Sequence, residues 1–312
     1  MTDLKLLFEI GKNELEFYDS VDTFSLHFNK NLYILTDNHI DDRFFIQVFD
    51  MTGKFKFKTK LFSSKDKLTT YEPLNICFSP NGDIYAFYSF YNCIGAFNQN
   101  YELQFEFGSK GSGPGQFNLR CNLCFGPNQS LYVLDTYNDR FQVFNDKGIF
   151  KYDFKLSKQP IDTDMKLYLN FCFGPNDLLY VCDCRSCCIQ VYDVKGNFKF
   201  QFGSFGPKKG HFNTPNGLCF GPDDLLYVCD FNNLRIQVFD VNGNFQYEIK
   251  HDHIKHPYEI AFGPNNLIYV RNGHKLYHHK VQVLQHLKHQ SLYQILAFSL
   301  FETKNNKKRK FY

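Results

Sequence analysis

Four cysteines crowd one stretch of this chain: Cys182, Cys184, Cys187 and Cys188, in the pattern C-x-C-x-x-C-C. Thiolates at such spacing can hold zinc or work as a redox pair. A second group offers oxygen donors. Asn75, Asn122, Asn170, Asn216 and Glu259 each stand at or just before an apolar run. Oxygens converging from several strands can hold calcium, but a set whose only carboxylate is Glu259 holds it weakly. Cavity lining or backbone capping is the plainer role. His251 and His253, with His256 nearby, would share one face of a strand and could ligate zinc; solvated loop histidines are the plainer reading here too. His274, His278, His279, His286 and His289 lack the H-E-x-x-H spacing of a helical zinc site. The GSGPG run at 111–115 opens no helical pattern, so it is not a phosphate loop.

The elements that must position these residues come from a repeat. Segments beginning at Leu26, Ile76, Leu123, Phe171, Leu218 and Ile260 share an apolar start, a turn and a second apolar run, as in LCFGPDDLLYVCD. Their marker residues are Phe28, Phe78, Phe125, Phe173, Phe220 and Phe262, 42 to 50 residues apart. That period suits propeller blades. The unit from Leu218 reads as four short strands, here a to d: LCF, LLYVCD, RIQVFD and NFQYEI. Gly-Pro-Asp and Asn-Gly turns separate them, and period-two alternation excludes a helical solenoid.

The expected fold is all-β: a six-bladed propeller of four-stranded antiparallel blades, closed by a terminal strand. One domain spans 1–303, with blades near 26–70, 76–117, 123–160, 171–212, 218–252 and 260–303. Residues 4–10 resemble the strand-d segments near 104 and 200, so they can supply the last outer strand; 293–301 is the rival. Residues 304–312 read as a basic disordered tail. Within this frame Cys182 aligns with Cys229 and Leu134 as core, which leaves Cys184, Cys187 and Cys188 on a b–c loop.

Composition supports this reading. The 312 residues include 37 Phe and 20 Tyr, with no Trp, and 43% are hydrophobic. Aromatic side chains suit half-buried strands. The net charge of +3 is misleading, because Lys304, Lys307, Lys308, Arg309 and Lys310 lie in the last nine residues and leave the body near −2. That balance argues against general nucleic-acid affinity. Eleven cysteines, an odd number set mostly in apolar runs, suggest free thiols in a reducing compartment. No signal segment or membrane-length apolar run is visible. The expectation is a cytoplasmic monomer, with the basic tail as a possible nuclear signal.

The unit GLCFGPDDLLYVCDFNNLRIQVFDVNGNFQYEI resembles an NHL repeat, and FGSKGSGPGQFN and FGSFGPKKGHFNTPNG resemble that family's Gly-rich link between blades. The resemblance implies an Asp ending strand b and an Arg opening strand c. These are Asp135 with Arg140 and Asp230 with Arg235, tying the b–c hairpin together. Asp183 faces Cys188 instead, Tyr88 and Cys93 fill the places in another blade, Asp37 with Arg43 is one residue longer, and Asn272 has no Arg. The d–a links and b–c loops share one face, with Lys110, Arg120, Tyr137, Asn138, Arg140, Arg185, Lys208, Lys209, His211, Phe231, Asn232 and Arg235. NHL domains dock proteins and bind single-stranded RNA. The resemblance therefore implies a non-enzymatic scaffold without cofactor that docks a protein partner on this face. Single-stranded RNA on the same face is one alternative. Propellers such as gluconolactonases hold calcium in the channel, so a calcium-dependent hydrolase or lactonase is the other.

Overall fold

The computed structural model describes residues 4–10, 26–28, 31–36, 45–50, 54–61, 63–64, 73–156, 169–263, 266–273 and 281–286. The 293–301 segment, the basic tail, Asp37, Arg43, His274, His278, His279 and His289 lie outside them. Strand β1 (Leu4–Ile10) is followed by a four-stranded sheet of β2 (Leu26–Phe28), β3 (Leu32–Thr36), β4 (Phe45–Phe49) and β5 (Phe55–Thr59). The next sheet holds β6 (Pro73–Phe78), β7 (Ile84–Tyr88), β8 (Cys93–Phe97) and β9 (Leu103–Phe107). A two-residue parallel ladder, β10 (Ser109–Lys110) with β11 (Gln116–Phe117), lies in the following link. Then come β12 (Cys121–Phe125), β13 (Leu131–Asp135), β14 (Arg140–Phe144) and β15 (Phe150–Lys155), and β16 (Leu169–Phe173), β17 (Leu179–Asp183), β18 (Cys188–Tyr192) and β19 (Phe198–Phe202). The fifth sheet is β20 (Pro215–Phe220), β21 (Leu226–Asp230), β22 (Arg235–Phe239) and β23 (Phe245–Ile249).

These five sheets are each continuous in sequence. The remaining one is composite. β24 (Pro257–Phe262), β25 (Leu267–Asn272) and β26 (Val281–His286) take β1 as their outer strand, antiparallel, with Leu4 opposite His286 and Ile10 opposite Val281. The inner strands β2, β6, β12, β16, β20 and β24 each touch the next, and β24 touches β2. The molecule is thus an all-β propeller of four-stranded antiparallel blades, and its closed ring leaves only the short outer edge of each blade.

The packing explains the repeat's letters. The middle strands β7, β8, β13, β14, β17, β18, β21 and β22 are buried throughout, whereas the outer strand β15 alternates. Five of the marker Phe, Phe78 to Phe262, pack against the strand-b Tyr of the preceding blade. Tyr33–Phe78, Tyr85–Phe125, Tyr132–Phe173, Tyr180–Phe220 and Tyr227–Phe262 all have ring centroids 4.7–4.9 Å apart. Most of these meet edge to face, the favoured aromatic geometry. Where Gly follows the marker Phe it sits against the strand-b Tyr of its own blade: a Cβ on Gly126, Gly174 or Gly221 would come within 2.6, 2.7 or 2.8 Å of Tyr132, Tyr180 or Tyr227. The Tyr hydroxyl then reaches into the next blade: Tyr85 donates to the Asp146 carbonyl, Tyr132 to Val194 at 3.2 Å and Tyr180 to Val241 at 2.7 Å.

Those carbonyls belong to the c–d turns. There the Asp240 carboxylate accepts the backbone N–H of Asn242 and Asn244, both at 2.9 Å, and Asp193 makes the same turn. Partial burial pushes the Asp240 carboxyl up, but the hydrogen bonds overcome it and hold it below its ordinary 3.8. Glu248 is likewise held below 4.5, with Lys250 and Arg235 outweighing its burial. Burial raises the hydroxyls of Tyr132, Tyr180 and Tyr227 above 10.0 and the thiols of Cys77, Cys172, Cys182 and Cys219 above 9.0. Lowered carboxyls contribute stability that is present above their ordinary values and lost as pH falls through the folded ones. Raised hydroxyls and thiols contribute stability that is present below their ordinary values and lost as pH rises through the folded ones. The melting temperature is therefore expected to be flat between about pH 5 and 8 and to fall on both sides. A melting temperature still climbing at pH 10 in a thermal scan would refute that sign.

Candidate functional site

Successive strands of a blade run antiparallel, so the d–a links and b–c loops emerge together at one end. Two long links, 108–118 and 203–213, have the same conformation. In the first, β10 pairs with β11; in the second, Phe205 bridges Phe212 in the same parallel sense. Phe117 and Phe212 are fully buried beneath the links. Gly108 and Gly203, at φ +98° and +90°, place the chain so close to these rings that a Cβ would lie 2.4 Å away.

A buried polar clasp fixes each link, and the two clasps match residue for residue. The Arg140 Nε donates to Asp135 at 3.1 Å, and one terminal nitrogen donates to Asp153 at 3.1 Å. The other donates to the carbonyls of Gly113 and Gln116, at 2.8 and 2.9 Å. Gln142 donates to the Gln116 carbonyl and accepts from the Gly115 N–H; Asn138 donates to Asp135 and to the Gly111 carbonyl. In the second clasp Arg235 donates to Asp230 at 2.7 Å, to Glu248 at 2.8 Å, and to the carbonyls of Lys208 and His211. Gln237 and Asn233 repeat the remaining bonds. Burial raises the Asp135 carboxyl above 3.8, and the hydrogen bonds from Asn138, Arg140 and the Asn118 N–H offset that only in part.

The other blades reach a similar end by different chemistry. Asn272 accepts the Lys255 N–H at 3.1 Å, as Asp135 and Asp230 accept those of Asn118 and Asn213. Tyr88 donates to the Leu61 carbonyl at 2.9 Å. Asp183 accepts from the backbone of Arg185 and Ser186 and lies 3.6 Å from the Arg185 guanidinium.

These contacts sort the residues assigned to the face. Arg140 and Arg235 are 6% and 3% exposed, and the clasps occupy their nitrogens. They and Asn138 therefore hold the loops from beneath and are corrected here from contact residues to scaffold. The hairpin role read for the Asp–Arg pairs extends to pinning the link before each blade. Lys110, Lys208, Lys209 and Asn232 are exposed, and the Lys209 ammonium lies 5.6 Å from the Phe245 ring centre. Arg120, Tyr137 and Arg185 are half-buried at the same end. His211 is half-buried, its Nδ1 2.8 Å from the Ser204 hydroxyl. Phe231 is half-buried against His256 at 5.0 Å and Tyr258 at 6.1 Å.

Sequence reasoning missed the apolar part of this face. Phe205 is 72% exposed, Phe90 60%, Leu119 46% and Leu234 40%, and all four lie on links or b–c loops. The available signal was alignment: Leu234 stands where sister blades have Asn92 and Asp139. These three and Cys187, at the same place in its blade, hold φ between +50° and +54°, the left-handed region that Asn and Asp adopt more readily than Leu or Cys.

The remaining candidates are placed as follows. Asn75 accepts the Leu123 N–H at 3.0 Å and so staples β6 to β12; Asn170 accepts the Phe171 N–H at 2.8 Å. Asn122 is half-buried, and Asn216 is buried in the bulge of β20. Glu259 lies 3.6 Å from the Arg271 guanidinium, which also covers the Tyr258 ring at 4.2 Å. The one carboxylate of the channel set thus already faces a cation. Cys184, Cys187 and Cys188 are buried, and burial pushes the thiols of Cys184 and Cys188 up to about 12, opposite to what a metal ligand or redox thiolate needs. All eleven cysteines are free. His251 and His253 stack at 5.3 Å. Among the described residues, no three His, Cys, Asp or Glu side chains are grouped to hold a metal.

Residues 212–239 match the NHL repeat family. That span runs from the buried anchor Phe212 through β20, β21 and β22, and so contains the second clasp's Asp230, Asn233, Arg235 and Gln237. The chain carries an NHL repeat. No curated protein matches this NHL-repeat propeller in sequence. Solved structures match its fold. Virginiamycin B lyase from Staphylococcus aureus is 15% identical with a TM-score of 0.60, over 91% of this chain and 99% of that one. A Bacteroides thetaiotaomicron protein of unknown function is 12% identical with a TM-score of 0.60, over 90% and 76%. The WD40 β-propeller domain of Doa1 is 11% identical with a TM-score of 0.52, over 91% and 97%. At these identities the likeness concerns fold alone. No helix among the described residues is long and apolar enough to cross a membrane.

Proposed function

We propose that this NHL-repeat propeller is a binding scaffold, not an enzyme, and docks a protein partner on the face formed by its d–a links and b–c loops. The observation that carries this reading is the company kept by the exposed apolar side chains. Phe90, Leu119, Phe205 and Leu234 lie at the same end as Lys110, Lys208 and Lys209, and buried clasps pin the two links that carry Phe205 and the lysines. Aromatic and aliphatic anchors ringed by polar groups on a preorganised surface suit protein recognition. RNA stacking needs open ring faces; Phe231 is packed against His256 and Tyr258, so on this face that alternative draws on the exposed rings of Phe90 and Phe205 and is the second outcome of the test below. The calcium-hydrolase alternative draws nothing from the channel, where Glu259 is paired with Arg271.

The test is affinity capture from the native cell with and without nuclease. It compares the parent protein with a variant reversed across the face, combining Lys110→Glu, Arg120→Glu, Lys208→Glu and Lys209→Glu. A protein partner retained after nuclease and lost from the variant is the expected result. Capture that depends on RNA, or a partner the variant keeps, would count against the reading.

A further inference from the structure

The two matched clasps allow a comparison within one molecule. Their buried positions are the same: Asp, Asn, Arg, Gln and the Phe anchor recur in both. Their exposed positions are not. Where the first unit has Lys110, Gly113, Pro114 and Asp139, the second has Phe205, Lys208, Lys209 and Leu234. The scaffold works with either set, so folding does not require the second.

From this difference we infer that Phe205, Lys208, Lys209 and Leu234 form a binding site for an acidic peptide segment that carries an aliphatic or aromatic side chain. The inference rests on the docking reading and narrows it to one sector and one partner chemistry. The sector is a single rigid platform. The Asn233 amide donates to the Gly206 carbonyl at 3.0 Å, which brings the residue beside Leu234 against the residue beside Phe205. Arg235, the other neighbour of Leu234, donates to the Lys208 carbonyl at 2.8 Å. No carboxylate among the described residues pairs with Lys208 or Lys209, so two exposed lysines, the Lys209 ammonium resting 5.6 Å from the Phe245 ring centre, keep uncompensated charge on the link that carries exposed Phe205.

Leu234 is an independent second observation. A leucine at φ +54° is strained, and at 40% exposure it recovers little by burial. Leu119, exposed on the same face at φ +59°, carries the same strain, so the strain supports contact on this face and the choice of sector rests on Phe205 and the two lysines. Carboxylates matched to the lysines, with an apolar side chain laid on Phe205 and Leu234, would use every group on the platform.

The test uses fluorescence anisotropy on the full chain with three labelled probes. One is a peptide of about twelve alternating Glu and Leu residues ending in Phe, the second replaces Glu by Lys, and the third is an oligo-uridine RNA. The acidic peptide is expected to bind and the basic one not. Lys208→Glu with Lys209→Glu, or Phe205→Ser, is expected to weaken binding at least about tenfold. Leu234→Asn is expected to weaken binding while raising the melting temperature by about 2–4 °C, because Asn relieves the left-handed strain. A Leu234→Asn chain that melts lower or binds unchanged, or RNA bound in preference to the acidic peptide, overturns the inference. Should Lys110→Glu with Arg120→Glu release the captured partner while Phe205→Ser and Leu234→Asn do not, this site falls and the docking reading stands. Should neither pair release it, both fall.

Discussion

Arg235→Ala is expected to lower the unfolding free energy by about 3–5 kcal/mol, the range for removing one partner of a buried ion pair. The side chain donates to Asp230, Glu248 and the carbonyls of Lys208 and His211. Its removal leaves the Asp230 carboxylate, itself fully buried, with only the Asn233 and Gln237 amides and one backbone N–H. It also frees the 203–213 link, since the His211 carbonyl keeps only Gln237 and the Lys208 carbonyl loses its guanidinium donor. Urea unfolding measures the first effect, and amide exchange across 203–213 measures the second. The paired change Asp230→Asn with Arg235→Leu removes both charges together and is expected to cost clearly less than Arg235→Ala alone, because no uncompensated charge remains. If the double variant is as unstable as the single one, the stability resides in packing and the electrostatic account of the clasp is wrong.

Tyr180→Ala should have a comparable effect at a different kind of contact. The side chain is fully buried between two blades, its ring 4.9 Å from Phe220 and its hydroxyl donating to the Val241 carbonyl. Truncation removes a large aromatic from a packed interface and leaves a cavity, at about 3–5 kcal/mol. Tyr180→Phe keeps the ring and removes one hydrogen bond, at about 1 kcal/mol. Equal losses for the two variants would mean that the hydroxyl, not the ring, joins the blades. The same comparison at Tyr132, whose ring meets Phe173 and whose hydroxyl reaches Val194, asks whether each blade boundary uses one joint.

Much of this architecture is local and could be read along the chain. The Phe-Gly-Pro turns, the Asn-Gly turns and the period-two runs belong to neighbouring residues, and they recur because each blade solves the same packing problem. The marker Phe and the strand-b Tyr were visible as letters, and the structure shows why they recur: from Phe78 to Phe262 the Phe meets a Tyr of the preceding blade, almost one repeat away. The exposed apolar residues were illegible for the opposite reason. Nothing near Phe205 in sequence says that its partner in the ladder is Phe212 and that its own ring faces out.

The sequence by itself determined the blades, their turns and the end of the ring at which the long loops lie, since alternation and turn chemistry act between close neighbours. Only the tertiary structure decided which of the basic residues on those loops face solvent. Arg140 and Lys110 look alike as letters. Arg140 is buried because carbonyls 24 and 27 residues earlier fold over it, and Lys110 is exposed because none do. Closure is of the same kind. The likeness of residues 4–10 to a strand-d segment marked β1 as a candidate outer strand, but the pairing with β26, more than 270 residues away, is a tertiary contact that neither segment specifies locally.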